Sequence, residues 1–256
     1  MALKIGLKLW NLNTENYLEE AVRLHQEGVY DFIELYVVPG QLGLLEQWKQ
    51  VPVPFNIHAP HFQHGLNLSK AESLEGNLAK YQEVKRYADE LAAEYIIFHG
   101  GTDGDYRETA RQLQIIQDPR AVIENKPYKT LPFIQGDFYV GGKIEEIRYI
   151  IEQTGCRFCL DIGHASSAAN ALGYEPYAYI QNFMTLKPFM FHLSDIDTTS
   201  EMDAHLNYGQ GNLDFQRLAV IIGEQPTIAI ETNKTQPDRL DDFQADVAFL
   251  RRYFPE

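Results

Sequence analysis

Histidine and acidic residues end several short apolar segments of this chain. The segments NIH, IIFH, AVIE, CLD, MFH and IAIE each finish on such a residue; LDIGH adds a histidine, and the tripeptide DAH supplies two further candidates. Imidazole nitrogens and carboxylate oxygens together suit Zn²⁺, Mn²⁺ or a similar divalent ion. The pattern therefore predicts a metal site that draws on nine residues: His58, His99, Glu124, Asp161, His164, His192, Asp203, His205 and Glu231.

The elements that must position these residues are short strands alternating with helices along the chain. The runs are rich in Ile, Val and Phe and show little alternation, as expected for strands covered on both faces. We predict strands at Lys4–Trp10, Phe32–Val37, Pro54–His58, Tyr95–His99, Ala121–Glu124, Arg157–Asp161, Phe189–His192 and Thr227–Glu231. Eight strands, each followed by a helix or helical turn, indicate an α/β fold: one (β/α)8 TIM barrel over residues 1–256.

In such a barrel the carboxyl ends of all strands surround one mouth. A single histidine or acid at a strand end is ordinarily a cap or a loop residue, but several negative charges buried together are costly without a cation. A metal site is therefore favoured over separate structural roles. The rival role is hydrogen bonding to substrate for His58, His99 and His164, and a solvated turn for Asp203 and His205.

The predicted helices follow amphipathic stretches between the strands. They cover Asn16–Glu27 after an N-cap at Thr14, Leu42–Gln50, Glu72–Ala93, Arg107–Gln117, Lys143–Thr154 before a C-cap at Gly155, Phe215–Gly223 and Phe243–Tyr253. The segment Asn125–Gly142 is long for a loop and contains Pro and Gly. A long loop after a barrel strand is typical of the active-site face.

Other polar residues receive more modest predictions. Glu34, at the end of the second strand, is predicted either to bind a polar substrate or to form a structural salt bridge. Lys126 is a basic residue near the mouth and a candidate for substrate binding. His61 and His64 could line the mouth, but surface or packing roles are favoured for them, and His25 lies on a helix away from the mouth.

Composition disfavours some classes of partner. The chain has 22 Lys and Arg against 36 Asp and Glu, a formal net charge of −14, which is the wrong sign for long-range attraction to nucleic acid or anionic membrane. It contains no apolar run long enough to span a bilayer. Its two cysteines, Cys156 and Cys159, are interpreted as buried residues of one strand. Reduced cysteines and the absence of an export signal predict a cytoplasmic protein.

The ordered motifs IHAPH, FHGG, VIEN, LDIGHA, FHLSD, DAHLNYGQGNLDF and IAIET resemble the xylose isomerase-like TIM-barrel superfamily. This group holds sugar isomerases and epimerases as well as endonuclease IV, of AP endonuclease family 2. Resemblance to the epimerases implies one ion held by Glu124, Asp161, His192 and Glu231. Glu124 and Glu231 would then exchange a proton with the substrate, and the predicted substrate contacts are His164, His99, Glu34 and Lys126.

Resemblance to endonuclease IV instead implies three zinc ions. His58, His99 and Glu124 would hold the first, Glu124 with Asp161, His192 and Glu231 the second, and His164, Asp203 and His205 the third. The loop after the second strand, VVPGQLGLLEQ, lacks Lys and Arg, and the family's aspartate–arginine–histidine motif has alanine in its centre here. We therefore expect first an isomerase or epimerase of a small sugar, sugar phosphate or polyol, and second an endonuclease IV-like phosphodiesterase, with one to three divalent ions and with DNA an unexpected partner.

Overall fold

Short runs of branched and aromatic residues form eight parallel strands, each hydrogen-bonded to the next, and the eighth pairs with the first. The computed structural model describes residues 3–130 and 136–254. The predicted TIM barrel is confirmed. Its strands are β1 (Lys4–Trp10), β2 (Phe32–Tyr36), β3 (Phe55–His58), β4 (Ile96–His99), β5 (Ala121–Glu124), β6 (Arg157–Asp161), β7 (Met190–Leu193) and β8 (Thr227–Ile230).

Helices surround the barrel and connect consecutive strands. They are α1 (Leu18–Gln26), α2 (Leu45–Trp48), α3 (Leu74–Glu90), α4 (Tyr106–Ile116), α5 (Ile144–Thr154), α6 (Ile162–Leu172), α7 (Pro176–Met184), α8 (Phe215–Ile222) and α9 (Asp241–Leu250). Short 3₁₀ turns occur at Leu42–Leu44, Phe62–His64 and Ala71–Ser73. The predicted C-cap at Gly155 is confirmed, because this residue ends α5 with a φ of 69°.

Three features of the helices differ from the prediction. Thr14 caps no helix, since α1 begins at Leu18 after Tyr17. The second predicted helix, Leu42–Gln50, is present as a 3₁₀ turn over Leu42–Leu44 and as α2 over Leu45–Trp48, so it ends two residues early. Between β6 and β7 the chain forms α6 and α7, which the sequence analysis did not predict. The predicted loop Asn125–Gly142 includes residues 131–135, which lie outside the described residues.

The inside of the barrel is built in layers, because side chains on one face of a strand recur every second residue. Phe32, Ile97, Val122, Cys159, Met190 and Ala229 belong to one buried apolar cluster. Two positions further along the same strands stand Glu34, His99, Glu124, Asp161, His192 and Glu231. At Gly6 a Cβ atom would lie 2.5 Å from the Phe32 ring, so glycine makes room for the apolar layer. Inside the barrel, a polar layer thus lies directly above an apolar layer.

Within the described residues, no helix is long and apolar enough to cross a membrane. Cys159 is buried on β6 as predicted, whereas Cys156 precedes this strand and is half-buried, and both cysteines are free. The hydrophobic core between the barrel and its helices is continuous around the molecule and includes Trp48, Phe98 and Phe243. The fold therefore presents the polar layer at one end of a well-packed scaffold.

Candidate metal centre

Glu124, the last residue of β5, lies at the centre of the polar layer. Its Oε2 atom is 3.2 Å from Nε2 of His58, 2.9 Å from Nε2 of His99 and 3.3 Å from Nδ1 of His192. Its Oε1 atom is 2.9 Å from Nδ1 of His164. One buried carboxylate therefore joins the ends of β3, β4 and β7 and the start of α6.

Two further ligand candidates, His192 on β7 and Asp161 at the end of β6, lie beside different partners. Nδ1 of His192 is 3.0 Å from Oε1 of Glu231, which directly follows β8. Asp161, the last residue of β6, is 3.4 Å from Nδ1 of His164 through its Oδ2 atom. Its Oδ1 atom accepts a hydrogen bond of 2.7 Å from the backbone N–H of His164 and so caps α6. Asp161 is held in place by the same contact that starts the helix.

A third group lies on the loop between β7 and α8. Oδ2 of Asp203 is 3.4 Å from Nε2 of His164 and 3.1 Å from Nε2 of His205. Nδ1 of His205 is 2.8 Å from the backbone oxygen of Glu231, which leaves Nε2 facing Asp203. The loop thus returns to the mouth and places both residues beside His164.

Asp195 holds this loop in its conformation. Its carboxylate accepts hydrogen bonds from the backbone N–H groups of Ile196, Gly209, Gly211 and Leu213, at 2.7–3.2 Å. At Gly211 a Cβ atom would lie 2.3 Å from the backbone oxygen of Ile196, so only glycine fits there. The segment 209–213 is therefore a support for Asp203 and His205.

Together these side chains form four overlapping sets whose ligand atoms lie within 4.8 Å of one another. The sets share Glu124, His58 and His164, and they include all nine predicted residues. They are Glu34, His58, His192 and Glu231; His58, His99 and Glu124; Glu124, Asp161 and His164; and His164, Asp203 and His205. The structure therefore brings every predicted ligand into one cluster and adds Glu34.

Unsatisfied atoms show that divalent ions fit this cluster. Within the described residues, Glu124 Oε1, Asp203 Oδ2 and both ring nitrogens of His192 are buried without a directed hydrogen bond. Buried polar atoms are ordinarily paired, and a bound ion is one partner that satisfies such atoms. Five carboxylates outnumber the two lysines that contact them, Lys8 and Lys126, so a cation would relieve unbalanced charge.

Lys8 is a functional candidate that the sequence analysis missed. It lies on β1, and its Nζ atom donates to Oε1 of Glu34 at 2.7 Å and to Oε1 of Glu231 at 2.5 Å. Its partners stand 26 and 223 residues away in the sequence. The contact forms only because the barrel closes, so it could not be predicted from the spacing of these residues. A lysine within an otherwise apolar strand did, however, indicate a special role.

Burial and neighbouring charges shift the pKa values in this layer. Burial alone lowers the pKa of Lys8, but the carboxylates of Glu231 and Glu34 raise it above its usual range. Burial alone raises the pKa of Glu34, but His192 and Lys8 lower it to about 2. Burial raises the pKa of Asp161 to about 6 and lowers that of His99 well below its usual value. Glu34 is therefore ionised and His99 is a neutral imidazole, the form that binds a metal.

Glu34 lies below the mouth. It is the third residue of β2, it is fully buried, and it does not line the cavity. Its contacts favour the structural salt bridge, which was one of the two predicted alternatives.

Lys126 does line the cavity, with its Nζ 3.1 Å from Nε2 of His164. His61 also lines it, although a surface or packing role was predicted, and His64 contacts Tyr36 through a 2.7 Å hydrogen bond.

Above the cluster is a cavity of about 530 Å³. Its wall is aromatic near the ends of β1, β2 and β3, where Trp10, Tyr36 and Phe62 lie. Elsewhere it carries Lys126, Lys234 and the ion pair of Lys129 with Glu201. A cavity of this size is in the range of pockets for small molecules. The arrangement suits a small anionic ligand placed over a metal cluster.

The fold and the cluster can be compared with known proteins. A protein of Mycobacterium leprae (strain Br4923) named Probable endonuclease 4 is 26% identical over 222 residues, covering 79% of this chain and 80% of that protein. A solved D-tagatose 3-epimerase-like protein has a TM-score of 0.72 at 19% identity, covering 98% of this chain and 97% of that one. The TTHB071 protein from Thermus thermophilus, described as soaked with ZnCl₂, has a TM-score of 0.71 at 21% identity, covering 98% of both chains. The family model described as Xylose isomerase-like TIM barrel matches residues 30–253, and the chain therefore belongs to this family.

Proposed function

We propose that this protein is a divalent-metal-dependent phosphodiesterase whose site holds more than one ion. The observation that carries the proposal is the set of overlapping ligand groups. A zinc ion in a protein takes about four ligands, so nine converging donors exceed what one ion uses. Multinuclear clusters of this kind are characteristic of enzymes that hydrolyse phosphate esters.

The residues of the chain would divide the work as follows. His58, His99 and Glu124 would hold one ion, Glu124 with Asp161, His192 and Glu231 a second, and His164, Asp203 and His205 a third. Bound ions would lower the pKa of a water molecule and offset the charge of the phosphoryl group. Glu124 would keep neighbouring ions close, because its two oxygens face different histidines.

The walls of the cavity favour an anionic substrate of limited size. Lys126 and Lys234 line it and would attract phosphate oxygens, whereas Lys129 is paired with Glu201. A volume of about 530 Å³ accommodates a molecule of about the size of a nucleotide. The likeness to a protein named Probable endonuclease 4 agrees with phosphodiester hydrolysis.

This proposal reverses the order of the two expectations from sequence. Isomerisation or epimerisation of a small sugar stays the second candidate, and two observations favour it. The cavity is small, and Glu124 and Glu231 approach the same atom of His192, at 3.3 and 3.0 Å. A pair of carboxylates beside one ion is suited to moving a proton to and from a sugar. That mechanism, however, gives no role to Asp203 and His205.

Metal stoichiometry separates the two candidates. We expect the protein reconstituted with Zn²⁺ or Mn²⁺ to bind two or three ions per chain by elemental analysis, and to hydrolyse bis(p-nitrophenyl) phosphate. His205→Ala should lose one ion and reduce the hydrolysis rate at least about tenfold, because a ligand is removed from the third group. The matched control is His25→Ala, which removes a histidine on α1 outside the cavity lining and should leave both quantities unchanged.

A single ion per chain in the unmodified protein, unchanged in His205→Ala, would contradict the multinuclear proposal. If that protein also epimerises a ketose, the second candidate replaces the first.

A further inference from the structure

His192 has two ring nitrogens that face opposite chemical surroundings. Nδ1 faces Glu231 and Glu124, at 3.0 and 3.3 Å. Nε2 faces Oε1 of Glu34, at 2.9 Å. Neither nitrogen makes a hydrogen bond of good geometry within the described residues. The neighbouring carboxylates therefore determine which nitrogen carries the proton and which is available to a metal. The ring is fully buried, which prevents water from replacing them.

Glu34 is already committed to other partners inside the barrel. Its Oε1 atom accepts from Nζ of Lys8 at 2.7 Å, and its Oε2 atom accepts from the hydroxyl of Tyr95 at 3.0 Å. A carboxylate whose charge is matched by a lysine and whose second oxygen is occupied is a poor metal ligand. It remains a good acceptor for an N–H group, since a carboxylate oxygen takes more than one hydrogen bond.

We propose that Glu34 is a positioning residue that takes up the Nε2–H group of His192 and thereby presents Nδ1 to the metal. A histidine ligand commonly donates its other ring N–H to a carboxylate, which fixes the tautomer and makes the ligand more basic. The proposal rests on the metal site proposed above. It assigns to Glu34 a role distinct from both ligation and substrate contact.

Lys8 extends this arrangement to a second ligand. Its Nζ atom joins Oε1 of Glu34 to Oε1 of Glu231, so one ammonium group fixes both carboxylates. Oε2 of Glu231 is thereby left for the side of the cluster where His205 lies, 4.0 Å away. β1 and β2, which supply none of the nine predicted ligands, would thus orient ligands supplied by β7 and β8.

The test measures zinc binding and does not require a substrate. Glu34→Gln keeps the shape of the side chain but removes its charge, so we expect one ion to bind about 10–100-fold more weakly while the remaining ions are unaffected. Glu34→Asp, which retains a carboxylate, should recover part of this loss. In the zinc-loaded unmodified protein, ¹H–¹⁵N spectra of labelled histidine should show His192 protonated at Nε2, with the signal assigned by its disappearance in His192→Asn.

Asp118→Asn is the matched control, because Asp118 is another buried carboxylate, paired with Arg120 before the start of β5, and it should not change zinc affinity. An unchanged dissociation constant in Glu34→Gln, or a His192 protonated at Nδ1, overturns the positioning role while leaving the proposed function in place. An altered Co²⁺ absorption spectrum in Glu34→Gln at full occupancy identifies Glu34 as a direct ligand and also overturns it. No zinc binding by the unmodified protein overturns both proposals.

Discussion

Glu124 illustrates how much one residue can organise in this molecule. Its two oxygens approach four histidines supplied by β3, β4, β7 and α6. A carboxylate that is 1% exposed and surrounded by imidazoles is a strong acceptor of positive charge, because little water screens the interaction. Its position at the end of β5 makes it the common member of two of the ligand groups.

Replacement of this carboxylate should therefore affect more than one ion. Glu124→Gln removes the charge and one of the two equivalent oxygens, so we expect loss of more than one ion per chain and a decrease in activity greater than about 100-fold, since even outer partners of metal ligands contribute 10–100-fold. Elemental analysis and the phosphodiester assay measure the two effects. Glu108→Gln, on α4 and outside the cavity lining, is the control. Retention of full metal content by Glu124→Gln would show that the cluster does not depend on it.

At the residue scale, the residues at strand ends could be identified from the sequence, but the contacts that form when the barrel closes could not. Six of the nine predicted ligands meet because residues at the ends of parallel strands share one face. His164 joins them from the first turn of α6, and Asp203 and His205 join them from the loop between β7 and α8. The role of Lys8 and the buried position of Glu34 could not be predicted in the same way. Both residues lie inside strands, and Lys8 contacts Glu34, which is 26 residues away, and Glu231, which is 223 residues away. A charged residue within a strand gives no indication of which distant residue neutralises it.

The strands were predictable because burial on both faces gives continuous apolar runs, whereas the helices were predictable where only one face is buried. Strand positions followed from apolar runs, and all eight were found within one or two residues at each end. The helices α6 and α7 were missed for a physical reason. Much of α6 consists of Ala, Ser and Gly and is buried on most sides, so it lacks the alternating polar face that identifies a surface helix. It packs against both α7 and β7.

The loop between β7 and α8 gives a prediction at this scale. Asp195 holds four backbone N–H groups, and Asp195→Asn leaves one amide oxygen in place of two charged ones. We expect a loss of about 1–3 kcal/mol of unfolding free energy, the effect of leaving buried donors unpaired, together with weaker retention of the ion near Asp203 and His205. Thermal melts and metal titrations measure these quantities.

Asp197→Asn is the comparison variant, because Asp197 lies on the same loop but is exposed and bonds mainly to Thr199. Its melting temperature and metal content should match those of the unmodified protein. Equal effects of the two substitutions would mean that Asp195 does not support the site.

At the scale of the whole molecule, net charge and cavity shape restrict the partner. The chain carries a formal charge of −14, whereas binding to duplex DNA requires several basic contacts to phosphates. The loop after β2 provides none, since it lacks Lys and Arg and its Gly40 and Gln41 N–H groups donate to the carboxylate of Glu83. Lys126 and Lys234 instead line the cavity, where a small phosphodiester can reach them.

We therefore expect discrimination against duplex DNA. A labelled duplex that contains an abasic site should bind more weakly than about 10⁻⁴ M at physiological salt, the weak end of non-specific binding, and should be cleaved far more slowly than a dinucleotide. The dinucleotide reaction should depend little on salt, because few counterions are released from so short a ligand. Fluorescence anisotropy and product analysis measure the two reactions. Micromolar binding to the duplex, with a steep salt dependence and cleavage at the abasic site that a chelator abolishes, would show that duplex DNA is the substrate and that the negative net charge does not prevent its approach.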